Sequence, residues 1–286
     1  MVVVAASWPH PTPAPTRRNA AATVAGMAES FFTRTGGDRY AATPATVGPW
    51  SAQHMHGGPP SALLVHRSEQ AARDAQATGS WRAARTVVDF LGPVPVGDVE
   101  VRAAVVRGGR TAVLVDAELS AGGRPTLRSR TWLVRLPDGA PTPTTVSTPP
   151  TTSPESAPPF TQWGFPYAEH LDWHLASGEL AGPGAAATWA RPRVPLVDDE
   201  PLTGLQRACL VADSGNGISA ELSWDDWAFV NIDLTVHLLR EPVDDWLLLS
   251  ARSQLDPAGA GLATSTLHDR AGLVGNGAQT LVVQPR

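Results

Sequence analysis

An α+β fold, built twice from one helix and one antiparallel meander, is predicted by two features of the sequence: long period-two strands and a register that lays one half of the chain on the other. In the first half a glycine-rich turn, Gly57-Gly58-Pro59-Pro60, leads into a helical stretch over residues 61–77. Val99, Val101, Ala103 and Val105 then alternate with Asp98, Glu100, Arg102 and Ala104, and Val113, Val115, Ala117 and Leu119 repeat the pattern. Such alternation marks half-buried antiparallel strands. The turn Ala121-Gly122-Gly123 precedes a last strand over 127–136. The second half repeats the plan, with a helix over 202–213 and strands over 230–239, 246–255, 261–269 and 275–283. Laying Pro93 on Pro242 places Gly123 on Gly272 and Arg130-Thr131 on Gln279-Thr280. The reading is therefore an internal duplication. One helix against a curved sheet is an α+β layer arrangement.

Two proline-rich stretches divide the chain. Residues 1–26 read as a disordered tail, because Trp8-Pro9-His10-Pro11-Thr12-Pro13 loses donors and restrains its own backbone. Arg17-Arg18 before an apolar run resembles an export signal, but the run is short and Glu29 closes it. A start at Met27 is the alternative. Residues 137–159 contain eight prolines and no apolar periodicity, the signature of a linker. The expected modules are 27–136 and 160–286.

Composition removes whole classes of function. The 286 residues are 42% hydrophobic and 17% charged, ample for a globular core. No apolar run approaches the roughly 18 residues of a membrane span, and the protein is expected in the cytoplasm. A net charge of −5 argues against nucleic acid, which needs a concentrated basic face. The single cysteine, Cys209, excludes an internal disulfide and a cysteine-based metal site. All 22 basic residues are Arg, which excludes Schiff-base lysines and P-loop lysines.

Several motifs mislead. Gly215-Asn216-Gly217-Ile218-Ser219-Ala220 matches a dinucleotide fingerprint, but no amphipathic helix follows, so it reads as a surface loop. There is no G-x-S-x-G elbow. His170, Asp172 and His174 cluster, and the i,i+4 pair His170 and His174 could share a helix face and bind a metal, yet no third ligand of matching spacing appears, so no metal or cofactor is expected.

The sharper signal is Gln53-His54-Met55-His56-Gly57-Gly58-Pro59-Pro60-Ser61. Two glycines let backbone approach a ligand, and proline marks the first helical turn. The free amides there belong to Gly57, Gly58 and Ser61, at a helix end that can stabilise an oxyanion. A ligand-free loop-to-helix junction is the bland alternative.

The duplicated unit, its His-Gly-Gly helix start and the closing Gly277-Ala278-Gln279-Thr280 strand resemble the double hotdog acyl-CoA thioesterases, the type II thioesterase-like proteins of bacteria. The resemblance covers about residues 27–286. It implies two fused hotdog modules, each sheet wrapped around a long helix, that hydrolyse acyl-CoA-type or acyl-carrier thioesters. It places the catalytic Asp on Asp213, the water-holding Gln on Gln279 and the hydroxyl position on Asn231, a departure, since an amide replaces the hydroxyl. His56, Gly57 and Gly58 would bind substrate, the last two supplying the oxyanion donor. Asp213 follows the apolar run 208–212, and burial there would raise its pKa. Plainer roles exist for each: a helix terminator for Asp213, a satisfied sheet-edge amide for Asn231, a solvent-facing strand residue for Gln279. The corresponding first-repeat positions are near Glu69 and Arg130. An acyl-thioester sensor without turnover and an enoyl-thioester hydratase are the competing readings. Free sheet edges and ten tryptophans point to a homo-oligomer.

Overall fold

The computed structural model describes residues 30–75, 79–139, 147–180 and 182–286. The expected tail 1–26 lies outside the described residues, as does part of the expected linker. The described elements of the first half are β1 (Phe32–Gly36), β2 (Arg39–Ala42), α1 (Gly58–Ala75), β3 (Trp81–Phe90), β4 (Asp98–Arg107), β5 (Ala112–Ala121) and β6 (Arg124–Arg135). Those of the second are α2 (Pro166–Glu169), β7 (Leu171–Ser177), β8 (Ala186–Pro192), α3 (Gly204–Ala212), α4 (Gly215–Ile218), β9 (Trp227–Asn231), β10 (Asp233–Leu238), β11 (Leu247–Leu255), β12 (Ala260–Asp269) and β13 (Gly272–Pro285).

The strands form one antiparallel sheet in the order β1-β2-β4-β5-β6-β3-β10-β13-β12-β11-β8-β7, with β9 also on β13. Read from either edge, this order repeats one pattern about its centre. There β3 pairs with β10, Val87 opposite Thr235 and Asp89 opposite Asp233. β5 alternates buried and half-buried residues along its whole length, and Gly122 and Gly123, both at positive φ, make the tight turn into β6.

The ladders also fix how the halves correspond. Val115 opposes Thr131 in the first half and Ala263 opposes Gln279 in the second, so both strands are offset by 148. Gln279 therefore matches buried Thr131. The sequence alignment had placed it on Arg130, which points outward and pairs with Asp116. A slip of one residue exchanges the two faces of a strand. The register irregularity between Ala83 and Arg85 recurs at the same offset as the break between β9 and β10 at Ile232.

The helices are unequal. α1 has 18 residues, but α3 has only 9 and gives way to the single turn α4, so a long helix is found in the first half and not in the second. Thr203 opens α3 with a capping box to Gln206, and Asp213 closes it. α1 and α3 lie side by side in the core. Residues 147–159, within the expected linker, rest on the second half: Leu273 N donates to Ser147 Oγ at 2.6 Å, and Arg270 pairs with Glu155. Among the described residues no helix is long and apolar enough to cross a membrane.

Candidate active site

Asp213 sits where α3 ends, 4% exposed, facing the N-terminus of α1. The antiparallel passage of the helices brings these ends together, and it requires glycine. A Cβ on Gly58 would lie 2.7 Å from the backbone oxygen of Leu210, and one on Gly57 would lie 2.6 Å from the Phe90 ring and 2.8 Å from Asp213 Oδ2. Tyr167 reinforces the junction by donating its hydroxyl to Leu210 O.

Asn231, Gln279, His56, Gly57 and Gly58 converge on this carboxylate. Asn231 Nδ2 donates to Asp213 Oδ1 at 3.0 Å and to Asp233 O at 3.2 Å. Both partners are pure acceptors, so the amide orientation is forced and Asn231 Oδ1 faces the open side. Asn231 is the last residue of β9, just before the strand break at Ile232. Gln279 Nε2 donates to the backbone oxygen of Asp213 at 3.1 Å and, at 3.4 Å, to Oδ1, while its Oε1 accepts from Asn216 N at 3.0 Å. Gln279 is thus buried and fully engaged, with no solvent-facing role. His56 Nδ1 lies 3.1 Å from Asp213 Oδ2 and 3.1 Å from Gly58 N. Its ring stacks on Tyr167 at 3.9 Å.

Burial dominates the electrostatics. It pushes the Asp213 carboxyl up to about 6, against the donors Asn231, Gly58, Gln279 and Gly57, which hold it down. It drives His56 down to about 3, so the imidazole is neutral and its contact with Asp213 is a hydrogen bond rather than an ion pair. Its Nδ1 can donate to an ionised Asp213 or accept from Gly58, one at a time. Asp213 borders an open cavity of about 880 Å³ that His56, Gly57, Phe90, Trp163 and Asn231 also line.

Two features were not visible in the sequence. The segment read as a surface loop is the buried turn α4, whose Asn216 amide donates to Gln279. A wall of aromatic residues from 160–173 closes one side of the cavity. Glu69 lies far from the site, its carboxylate accepting from Thr203 Oγ1 at 2.9 Å and Gln206 Nε2 at 2.6 Å. His170 and His174 do not share a helix face, because His170 follows α2 and His174 lies in β7. Among the described residues no group of three or more His, Cys, Asp or Glu could hold a metal ion.

Comparison with known proteins agrees with this architecture. Residues 46–134 match the acyl-CoA thioesterase N-terminal domain and residues 143–283 the acyl-CoA thioesterase C-terminal domain. No curated protein matched the chain by sequence. Among solved structures, the chain is similar to a hot dog fold protein of unknown function from Alicyclobacillus acidocaldarius (14% identity, 88% of this chain and 95% of that one, TM-score 0.68). It is similar to the tesB protein of Mycobacterium avium subs paratuberculosis (20%, 89% and 96%, 0.63) and to an acyl-CoA thioesterase II from Mycobacterium marinum (15%, 89% and 95%, 0.64). These likenesses show a hotdog fold. With both domains matched in order along most of its length, the chain belongs to the acyl-CoA thioesterase family.

Proposed function

We propose that the protein hydrolyses acyl-CoA-type thioesters to a free acid and a thiol, with two fused hotdog modules (27–136 and 160–286, joined by 137–159) building one site. The carrying observation is a buried carboxylate, Asp213, held between an α-helix N-terminus and two side-chain amides on the wall of a large cavity. A water donating one hydrogen to Asp213 and the other to the open Oδ1 of Asn231 would turn its lone pair toward a thioester carbon. Gln279 and Asn216 fix Asp213 from behind, so Gln279 is a positioning residue.

The helix end answers the charge that moves. While Asp213 is ionised, the Gly57 and Gly58 amides favour its carboxylate. As it takes the proton, negative charge passes to the thioester oxygen, and the same amides are released to stabilise it. The carboxyl then protonates the departing thiolate, so no redox cofactor is needed. This reading puts the enzyme in the cytoplasm as a homo-oligomer, which sedimentation at monomer mass would refute. Thiol release from acyl-CoA esters tests the activity. Tight binding without release would favour the sensor alternative.

A further inference from the structure

We propose that the substrate lies across Asp213 in one direction, with a ring-bearing acyl group against Trp163, Phe165 and Trp173 and a phosphate-bearing thiol arm running past Trp50 and Arg286. The proposal rests on the hydrolase reading and adds the substrate class and its orientation.

Two aromatic clusters flank the carboxylate. On the Oδ2 side, His56 touches Asp213 and stacks within 6.4 Å of Phe165. Phe165 in turn meets Trp163 at 6.1 Å and 70°, and Trp163 meets Trp173 at 5.5 Å and 60°. On the Oδ1 side, Asn231 ends β9, which carries Phe229, and Phe229, Trp50 and Trp224 contact one another at 4.6–5.9 Å. Four of the chain's ten tryptophans line this one cavity. That concentration, in a chain only 6% aromatic, favours a flat ring over straight hydrocarbon. Tilted and edge-on rings leave faces and edges to which a flat group adds its own aromatic contacts, and a rigid ring loses less rotor freedom than a chain of equal carbon number.

Charge sets the direction. Histidines and Asp213 aside, the ionisable side chains lining the cavity are Asp225 and Arg286, and both belong to the Trp50 and Trp224 end. The Arg286 guanidinium lies 5.8 Å from the Trp50 ring centre and makes no ion pair among the described residues. It is the cavity's one arginine, able to meet a phosphate in two-pronged fashion. The 160–173 end offers the cavity no charge, so the hydrocarbon belongs there.

The test compares phenylacetyl-CoA, 2-naphthylacetyl-CoA and octanoyl-CoA, and the N-acetylcysteamine thioester of phenylacetate, which lacks phosphate. The aryl-CoA esters should exceed octanoyl-CoA at least tenfold in kcat/KM. Trp163→Leu should collapse that ratio by lowering the aryl rates at least tenfold and the octanoyl rate less than threefold; Phe165→Leu is the second variant if Trp163→Leu does not fold. Arg286→Gln should raise KM for phenylacetyl-CoA several-fold and leave KM for the phosphate-free ester within twofold. Octanoyl-CoA turned over as fast as the aryl esters would overturn the ring assignment while leaving the hydrolase reading intact. Equal losses for both CoA esters in Arg286→Gln and for the phosphate-free ester would overturn the orientation. If no ester is cleaved, the hydrolase reading fails by itself. Tryptophan quenching by 2-naphthylacetate, tighter than by octanoate and lost in Trp163→Leu, then decides the ring-binding wall separately.

Discussion

Asp213→Asn should separate catalysis from stability in opposite directions. The carboxyl moves from its ordinary 3.8 to about 6 on burial. At about 1.4 kcal/mol per tenfold, the folded protein carries a cost of at most about 3 kcal/mol for the ionised form. Because the folded pKa is raised, this group's contribution is full below about pH 4 and is lost as pH rises through about 6. Asparagine is nearly isosteric and never ionises. Its Oδ1 keeps the donors Asn231 and Gln279, and its Nδ2 can donate to the acceptor form of His56 Nδ1, while the Gly57 and Gly58 amides lose an acceptor and take back part of the gain. The variant should therefore gain up to about 3 kcal/mol over wild type at pH 8, seen as a higher urea midpoint at unchanged slope, and nothing near pH 3.5. Turnover should fall by about 10²–10⁴, the usual loss for one positioned base. A variant that keeps full turnover, or loses stability equally at every pH, would refute the role drawn for this carboxylate.

Other consequences follow from the same contacts. For the wild type, log kcat/KM should rise with unit slope up to about pH 6 and flatten above it, since only the ionised Asp213 accepts a proton; a flat profile from pH 4 to 8 would contradict this. Glu69→Gln should keep turnover within about twofold, because Glu69 serves α3 and not the cavity, and should stabilise the fold above about pH 7, where burial has pushed the Glu69 carboxyl. Gln279→Ala should cut kcat less than Asp213→Asn does, with KM little changed, since Asp213 is still held by Asn231. Gly58→Ala should lower the melting temperature, as its Cβ meets the backbone of Leu210, which cannot turn aside.

What could be read from sequence followed from what depends on near neighbours. Period-two burial gave the strands of both meanders, and the Gly57-Gly58-Pro59-Pro60 junction gave the start of α1 within a few residues. The helix expected over 202–213 starts at Gly204, just after its Thr203 cap. The register is not legible in the same way, because Pro93 and Pro242 lie in loops outside the strands, and only the cross-strand pairing of Val115 with Thr131 and of Ala263 with Gln279 sets the offset. Asn216 escaped notice for a related reason: its partners, Gln279 and Phe229, lie in strands far along the chain. The aromatic density of Phe160, Trp163, Phe165 and Tyr167 was visible, but its proximity to the proline-rich stretch hid its place on the cavity wall.

The corrected offset shows what the first copy has, among the described residues, at the positions of the candidate site. At the ladder position of Gln279 the first copy has Thr131, whose hydroxyl is already spent on Thr86 at 2.9 Å. At the position of Asn231 it has Ala83, which offers no polar atom beyond its backbone. The start of α3, the counterpart of the Gly57-Gly58 end, is occupied from within: Glu241 Oε2 accepts from Gly204 N at 2.8 Å, where a Cβ would overlap that same oxygen. A carboxylate already seated on the free amides satisfies the helix end and excludes a second anion from it. The first copy thus supplies α1, whose N-terminus faces Asp213, while the second supplies Asp213, Asn231 and Gln279. Each half holds a part that the other lacks, so the β3–β10 seam that fuses the sheets also assembles the site.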